Sequence, residues 1–139
     1  IKEFGGIKVD KIEDGLKIAD YVSLHMPLTN KTKNLINYAT LKTMKKNSII
    51  VNTARGGIIN ELDLEKALNE ELIFGAALDV FSKEPVEINN PLLKNKKVIL
   101  SPHSATFTDE CTSRMGIETT KNIIDFFENK IDKSMIVKI

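Results

Sequence analysis

Residues 48–80, SIIVNTARGGIINELDLEKALNEELIFGAALDV, decide the fold. The run Ser48-Ile49-Ile50-Val51-Asn52 is apolar and β-branched, which predicts a strand over 48–52 buried on both faces. Gly56-Gly57 interrupts it. Asn60 then opens a helix over about 61–70, with Leu62, Leu64, Ala67 and Leu68 turned inward at helical spacing. GAALDV follows as a strand over 75–80 whose small side chains let a helix approach closely. Strand, helix and strand in so short a span form a unit whose crossover is right-handed and whose strands run parallel.

The same alternation extends both ways. Upstream, residues 7–9 are a weak strand after Gly5-Gly6. Asp10 caps a helix over 10–19 carrying Ile12, Leu16, Ile18 and Ala19, and a strand over 21–25 stops at Met26-Pro27. The polar residues 29–33 lead to a helix over 38–44. Downstream, a loop with Pro85, Asn89, Asn90 and Pro91 precedes a strand over 98–100. A long helix over 109–128 presents Met115, Ile117, Ile123, Ile124, Phe126 and Phe127, and residues 136–139 read as a closing extended segment. The expected architecture is α/β, a doubly wound parallel sheet with four firm strands and one weak strand before them.

A chain of 139 residues is long enough for one core, so one folding unit is expected. Hydrophobic residues at 42% and charged residues at 28%, with 4 prolines and 7 glycines, exclude disorder and low-complexity repeats. The formal charge of +1 and the short basic clusters Lys42/Lys45/Lys46 and Lys94/Lys96/Lys97, which lack interleaved aromatics, point away from a nucleic-acid partner. No apolar run approaches the roughly 18 residues of a membrane span, so no membrane partner is expected. The lone Cys111 suits a reducing compartment, and a cytoplasmic protein is the default.

In such sheets ligands bind outside the carboxyl ends of the strands. Three successive strands place a functional side chain there: Arg55 after 48–52, Glu84 after 75–80, and His103 after 98–100. Each alone has a bland reading, as a surface charge, a loop charge and a structural histidine. Together they make a working set. An arginine fork holds a carboxylate in two hydrogen bonds and polarises an adjacent carbonyl. An imidazole gives a proton to that oxygen as it becomes an alcohol, and a glutamate on the other ring nitrogen fixes the tautomer. The electron pair must come from elsewhere, and a nicotinamide cofactor carries one.

These residues lie in stretches with a recognisable pattern: ADYVSLHMPLTNKTKNLIN, SIIVNTARGGIINELDLEKAL, GAALDVFSKEP and NPLLKNKKVILSPHSA. Over about residues 7–131 the chain resembles the C-terminal part of the D-isomer-specific 2-hydroxyacid dehydrogenases, the family of D-lactate, D-3-phosphoglycerate and glycerate dehydrogenases. The resemblance implies NAD as cofactor, a small 2-hydroxy or 2-oxo acid as substrate, and a homodimer. It also implies that Arg55 binds substrate, that His103 is the acid/base and that Glu84 pairs with it. Asp79 is implied near the nicotinamide carboxamide, Thr53, Ala54 and the His25-Met26-Pro27 turn along the cofactor wall, and Ser104 and Ala105 beside the ring. No metal ligands are implied.

No GxGxxG occurs in the sequence. The resemblance therefore implies an incomplete Rossmann-like sheet, with its first two strands and glycine-rich turn lying before Ile1. The strand over 21–25 is then expected at an open edge, and residues 109–139 are expected to lead back toward a substrate domain. On this expectation the isolated chain binds NAD weakly and turns over little. The other reading is a non-catalytic remnant or corepressor-like binding module on the same fold.

Overall fold

A computed structural model describes residues 2–137. Its contacts divide the chain into two compact units, one up to His103 and one from Ser104 onward.

In the first unit, β1 (Tyr21–Leu24), β2 (Ile49–Asn52), β3 (Gly75–Leu78) and β4 (Val98–Leu100) form a parallel sheet in the order β1-β2-β3-β4. The register sets Leu24 beside Asn52, Asn52 beside Leu78, and Leu78 beside Leu100. All four strands therefore end along one line, and the loops that follow them share one rim. Because strand side chains alternate, Leu24, Ile50, Ala76 and Leu78 face one side and are buried. They pack in one cluster with residues of α1 (Ile12–Ile18), α2 (Tyr38–Leu41) and α3 (Glu61–Asn69). Leu64 and Leu68 of α3 and Ile50 of β2 are fully buried, each worth about 1.5–3 kcal/mol. The opposite side carries Tyr21, Ser23 and Ile99 exposed and Ile49, Val51 and Ala77 half-buried. The strand over 48–52 is thus buried on one face only, which corrects the expectation of two. Leu62, expected inward, is 70% exposed, because it falls outside the stripe set by Leu64, Ala67 and Leu68.

Several other boundaries differ from expectation. Residues 7–9 form no strand and Ile7 is exposed: no strand pairs with this segment, and β1 pairs only with β2. Asp10 does not cap α1. Lys11 occupies that position without a side-chain cap bond, and Asp10 instead meets Lys8 at 3.6 Å. The helix over 38–44 stops at Leu41, where Thr43 and Met44 donate back to Thr40 and Leu41 and tighten the last turn. Its start is firmly made, with Asn37 and Thr40 forming a reciprocal capping box.

The second unit is built on α4 (Asp109–Phe127), capped by Thr108, whose Oγ1 accepts the Cys111 amide at 3.1 Å. None of its side chains is buried, and Phe126 and Phe127 stack edge to face. Ile136 is a bend and Val137 has no regular structure, while residues 138–139 of the expected closing segment lie outside the described residues. Among the described residues no helix is long and apolar enough to cross a membrane.

Candidate active site

The rim is assembled by short polar contacts at the strand ends. Asn52, the last residue of β2, is almost fully buried, and its side chain binds the turn that follows. Oδ1 accepts the Ala54 amide at 3.0 Å, and Nδ2 donates to the Arg55 carbonyl at 2.9 Å. An asparagine can hold both a donor and an acceptor two and three residues ahead, so the chain turns outward without orphaned groups. Thr53 is exposed on this turn and Ala54 half-buried. The Arg55 guanidinium is exposed and donates to the Ala54 carbonyl at 2.6 Å. Gly56 then presses on the next loop: a Cβ there would lie 1.7 Å from the Phe81 carbonyl oxygen. Only glycine permits that approach.

The loop after β3 carries Glu84. One oxygen, Oε1, accepts the Phe81 amide at 2.9 Å, which fixes the side chain against its own backbone. The other, Oε2, lies 2.8 Å from His103 Nδ1. A carboxylate only accepts, so Nδ1 carries the proton and donates, and Nε2 is left facing away from the pair. The His103 hydrogen bond, and after it the Phe81 N–H, hold the Glu84 carboxyl below the usual glutamate range; burial and the charge of Asp79 oppose this. His103 itself adopts φ 55°, a left-handed conformation that non-glycine residues visit rarely. Such a backbone persists only where its surroundings hold it.

Phe81, Glu84, Pro85, Val86, Pro102 and His103 line a cavity of about 510 Å³. Its walls are mostly apolar, with the Glu84–His103 pair as the polar edge. The structure brings Glu84 and His103 into direct contact. Arg55 is tied to them through the Gly56–Phe81 contact and does not line the cavity. Asp79 is buried at the end of β3 and accepts from Ser101 Oγ at 2.5 Å, while its amide donates to the Asn52 carbonyl. His25 and Pro27 sit exposed after β1. His25 Nε2 is 2.7 Å from Ser23 Oγ, and the Pro27 carbonyl accepts from Thr32. Ser104 and Ala105 open the second unit, where the Ser104 carbonyl accepts the Phe107 amide. Among the described residues, no three His, Cys, Asp or Glu side chains gather closely enough to hold a metal ion.

Residues 1–105 match the family described as D-isomer specific 2-hydroxyacid dehydrogenase, NAD binding domain. The chain belongs to that family. The family is an NAD-binding one, and among its relatives a glyoxylate reductase from Aeropyrum pernix is 42% identical over 94% of this chain and 39% of its own length. The crystal structure of a D-isomer specific 2-hydroxyacid dehydrogenase from Lactobacillus delbrueckii ssp. bulgaricus, in its NAD complexed form, superposes with a TM-score of 0.78 at 30% identity, covering 90% of this chain and 42% of that one. D-lactate dehydrogenase with NAD+ from Lactobacillus jensenii gives 0.82 at 29% identity, covering 93% and 42%. The chain spans about two fifths of the length of several curated relatives it matches.

Sequence reasoning missed Asn52, Ser101 and Glu61. An acceptor side chain at a strand end just before Thr53-Ala54-Arg55 was a readable signal for Asn52. Glu61 reads as an ordinary acidic residue in the first turn of a helix, yet its oxygens accept from Ser82 and Asn90. Ser101 gave no signal.

Proposed function

We propose that this chain supplies the nicotinamide-side half of the active site of a 2-hydroxyacid dehydrogenase, which reduces a small 2-oxo acid with NADH. The observation that carries the reading is the 2.8 Å contact between His103 and Glu84 at the edge of an apolar-walled cavity. That cavity suits a flat heteroaromatic ring and a small acid, since its volume falls within the roughly 300–1,000 Å³ of small-molecule sites. Phe81, Pro85, Val86 and Pro102 would hold the ring. Thr53, Ala54 and the His25–Pro27 turn follow neighbouring strands on the same rim and would extend that wall; Asp79 would meet the carboxamide.

When bound, NADH supplies the hydride that the 2-oxo carbon receives. The remaining steps fall to this chain's own side chains. Arg55, whose guanidinium rests on the Ala54 carbonyl at the neighbouring strand end, would leave that contact to clamp the substrate carboxylate with two N–H donors. As the carbon–oxygen double bond opens, its electron pair moves onto oxygen, and His103 gives that oxygen the proton from Nε2. In the oxidative direction the same nitrogen takes the proton back. Glu84 keeps Nδ1 protonated and stabilises the positive charge that the ring carries before donation.

The test is NADH oxidation by the full-length protein with glyoxylate and other small 2-oxo acids. The reading expects loss of NADH absorbance that depends on the acid, and Glu84→Gln lowering the rate. A folded protein that oxidises NADH with none of these acids would overturn it.

A further inference from the structure

We propose that Glu61 is a positioning residue for the Glu84–His103 pair, its carboxylate clamping the loop over 81–90 at both ends. Glu61 is the first residue of α3, but capping is done by its neighbour: Asn60 Oδ1 accepts the Asp63 amide at 3.1 Å. The Glu61 carboxylate is committed elsewhere. Oε1 accepts the Ser82 amide at 2.6 Å and Oε2 accepts from Asn90 Nδ2 at 2.7 Å. Asn90 is itself fixed, since its Oδ1 accepts the Leu92 amide and caps the 3-10 turn Pro91–Lys94. One half-buried carboxylate thus ties the start and the end of this loop to α3.

Glu84 lies between the two ties. Its Oε1 reaches back to the Phe81 amide, next to the clamped Ser82, and that bond aims Oε2 at His103. The neighbouring polar pairing in the loop is local: Lys83 with Glu87, and the Asn90 amide with the Glu87 carbonyl. Without Glu61 the loop retains the Gly56 contact at Phe81 and the packing of Val86 on the core. It loses both charge-assisted ties that set where Glu84 stands. A bond to an ionised group is among the stronger polar contacts, and fixing a reacting group's geometry bears on turnover more than on binding.

The inference rests on the proposed role of the pair, and its experiment separates the two. Amide hydrogen exchange and the Glu84 carboxyl titration are followed by NMR in this chain for wild type, Glu61→Ala and Glu61→Gln. With Glu61→Ala, exchange at Phe81 and Ser82 is expected to rise by about ten-fold or more, while Leu64 in α3 keeps its wild-type protection. The Glu84 titration is expected to move up as its bonds from Phe81 and His103 loosen, with Asp79 still beside it. Glu61→Gln keeps an acceptor for Ser82 but sets an amide N–H₂ against Asn90, so an intermediate result is expected. In the full-length enzyme, Glu61→Ala lowers kcat with little change in NADH affinity. Unchanged exchange at Phe81 and an unchanged Glu84 titration in both variants would overturn the positioning role, as would a uniform rise that includes Leu64. If Glu84→Ala leaves turnover intact, the catalytic reading falls instead, and the exchange and titration results still decide whether Glu61 holds the loop.

Discussion

Replacing Gly56 by alanine tests how the rim is assembled. The added Cβ would lie 1.7 Å from the Phe81 carbonyl oxygen, 2.0 Å from its carbon and 2.7 Å from the Ser82 nitrogen. Ordinary contact begins at 3.4 Å, so 3.4 minus 1.7 leaves 1.7 Å of separation to be found. The three nearest atoms are all backbone, so no rotamer change relieves the clash. The two loops must move apart, and the one that moves carries either Arg55 or Glu84. Overpacking of this kind costs about 1–3 kcal/mol. For a unit of this size each kcal/mol lowers the melting temperature by roughly 4 °C or more. Displacing a reacting group by about 1 Å can cost on the order of a hundred-fold in rate. Gly56→Ala should therefore melt at least several degrees lower, shift the Phe81, Ser82 and Glu84 resonances, and lower kcat/KM more than its loss of stability accounts for. Wild-type melting, with unshifted resonances in that loop, would show that the Arg55 and Glu84 loops are not in contact and would refute the assembly of the rim.

The remaining predictions concern single groups. His103→Ala removes the largest influence holding the Glu84 carboxyl low, so its NMR titration should rise toward the ordinary value of 4.5; an unmoved titration would deny the contact. Glu84 is depressed in the folded state, so its contribution to stability is present above its unfolded pKa and lost as pH falls through the folded value. Urea midpoints of wild type and Glu84→Gln should accordingly converge on acidification below about pH 4.5, and a difference that persists there would contradict the sign. Asn52→Ala removes two hydrogen bonds from a part-buried turn, those to the Ala54 amide and the Arg55 carbonyl, and should cost about 1–3 kcal/mol in urea denaturation. Arg55→Lys loses the planar fork and should raise KM for the 2-oxo acid and lower kcat, leaving NADH affinity close to wild type in a direct titration.

Much of the sheet was legible because β-branched runs and helical spacing are local signals. The strand over 98–100 and the helix starting at Asn60 fall where the residues put them. The failures share a cause, which is tertiary context. Residues 7–9 have strand composition but no neighbouring strand, and Leu62 has helical spacing but faces solvent. The strand over 48–52 looked buried on both faces because its composition does not record which side carries helices. At the site, Glu84 and His103 could be paired from their places after adjacent strands, since a parallel sheet in sequence order brings consecutive loops together. Asn52 acts on its own turn and was readable as an acceptor at a strand end, whereas Glu61 acts on a loop more than twenty residues away and leaves no pattern that spacing can reveal.

The central claim is that His103 moves the proton while Glu84 holds it in place. Steady-state kinetics and NADH titration of His103→Ala in the full-length enzyme test it most directly. The expected result is a fall in kcat of about a hundred-fold to ten-thousand-fold, with the NADH dissociation constant unchanged. A kcat near wild type, or a loss of activity explained by lost NADH binding alone, would contradict the account.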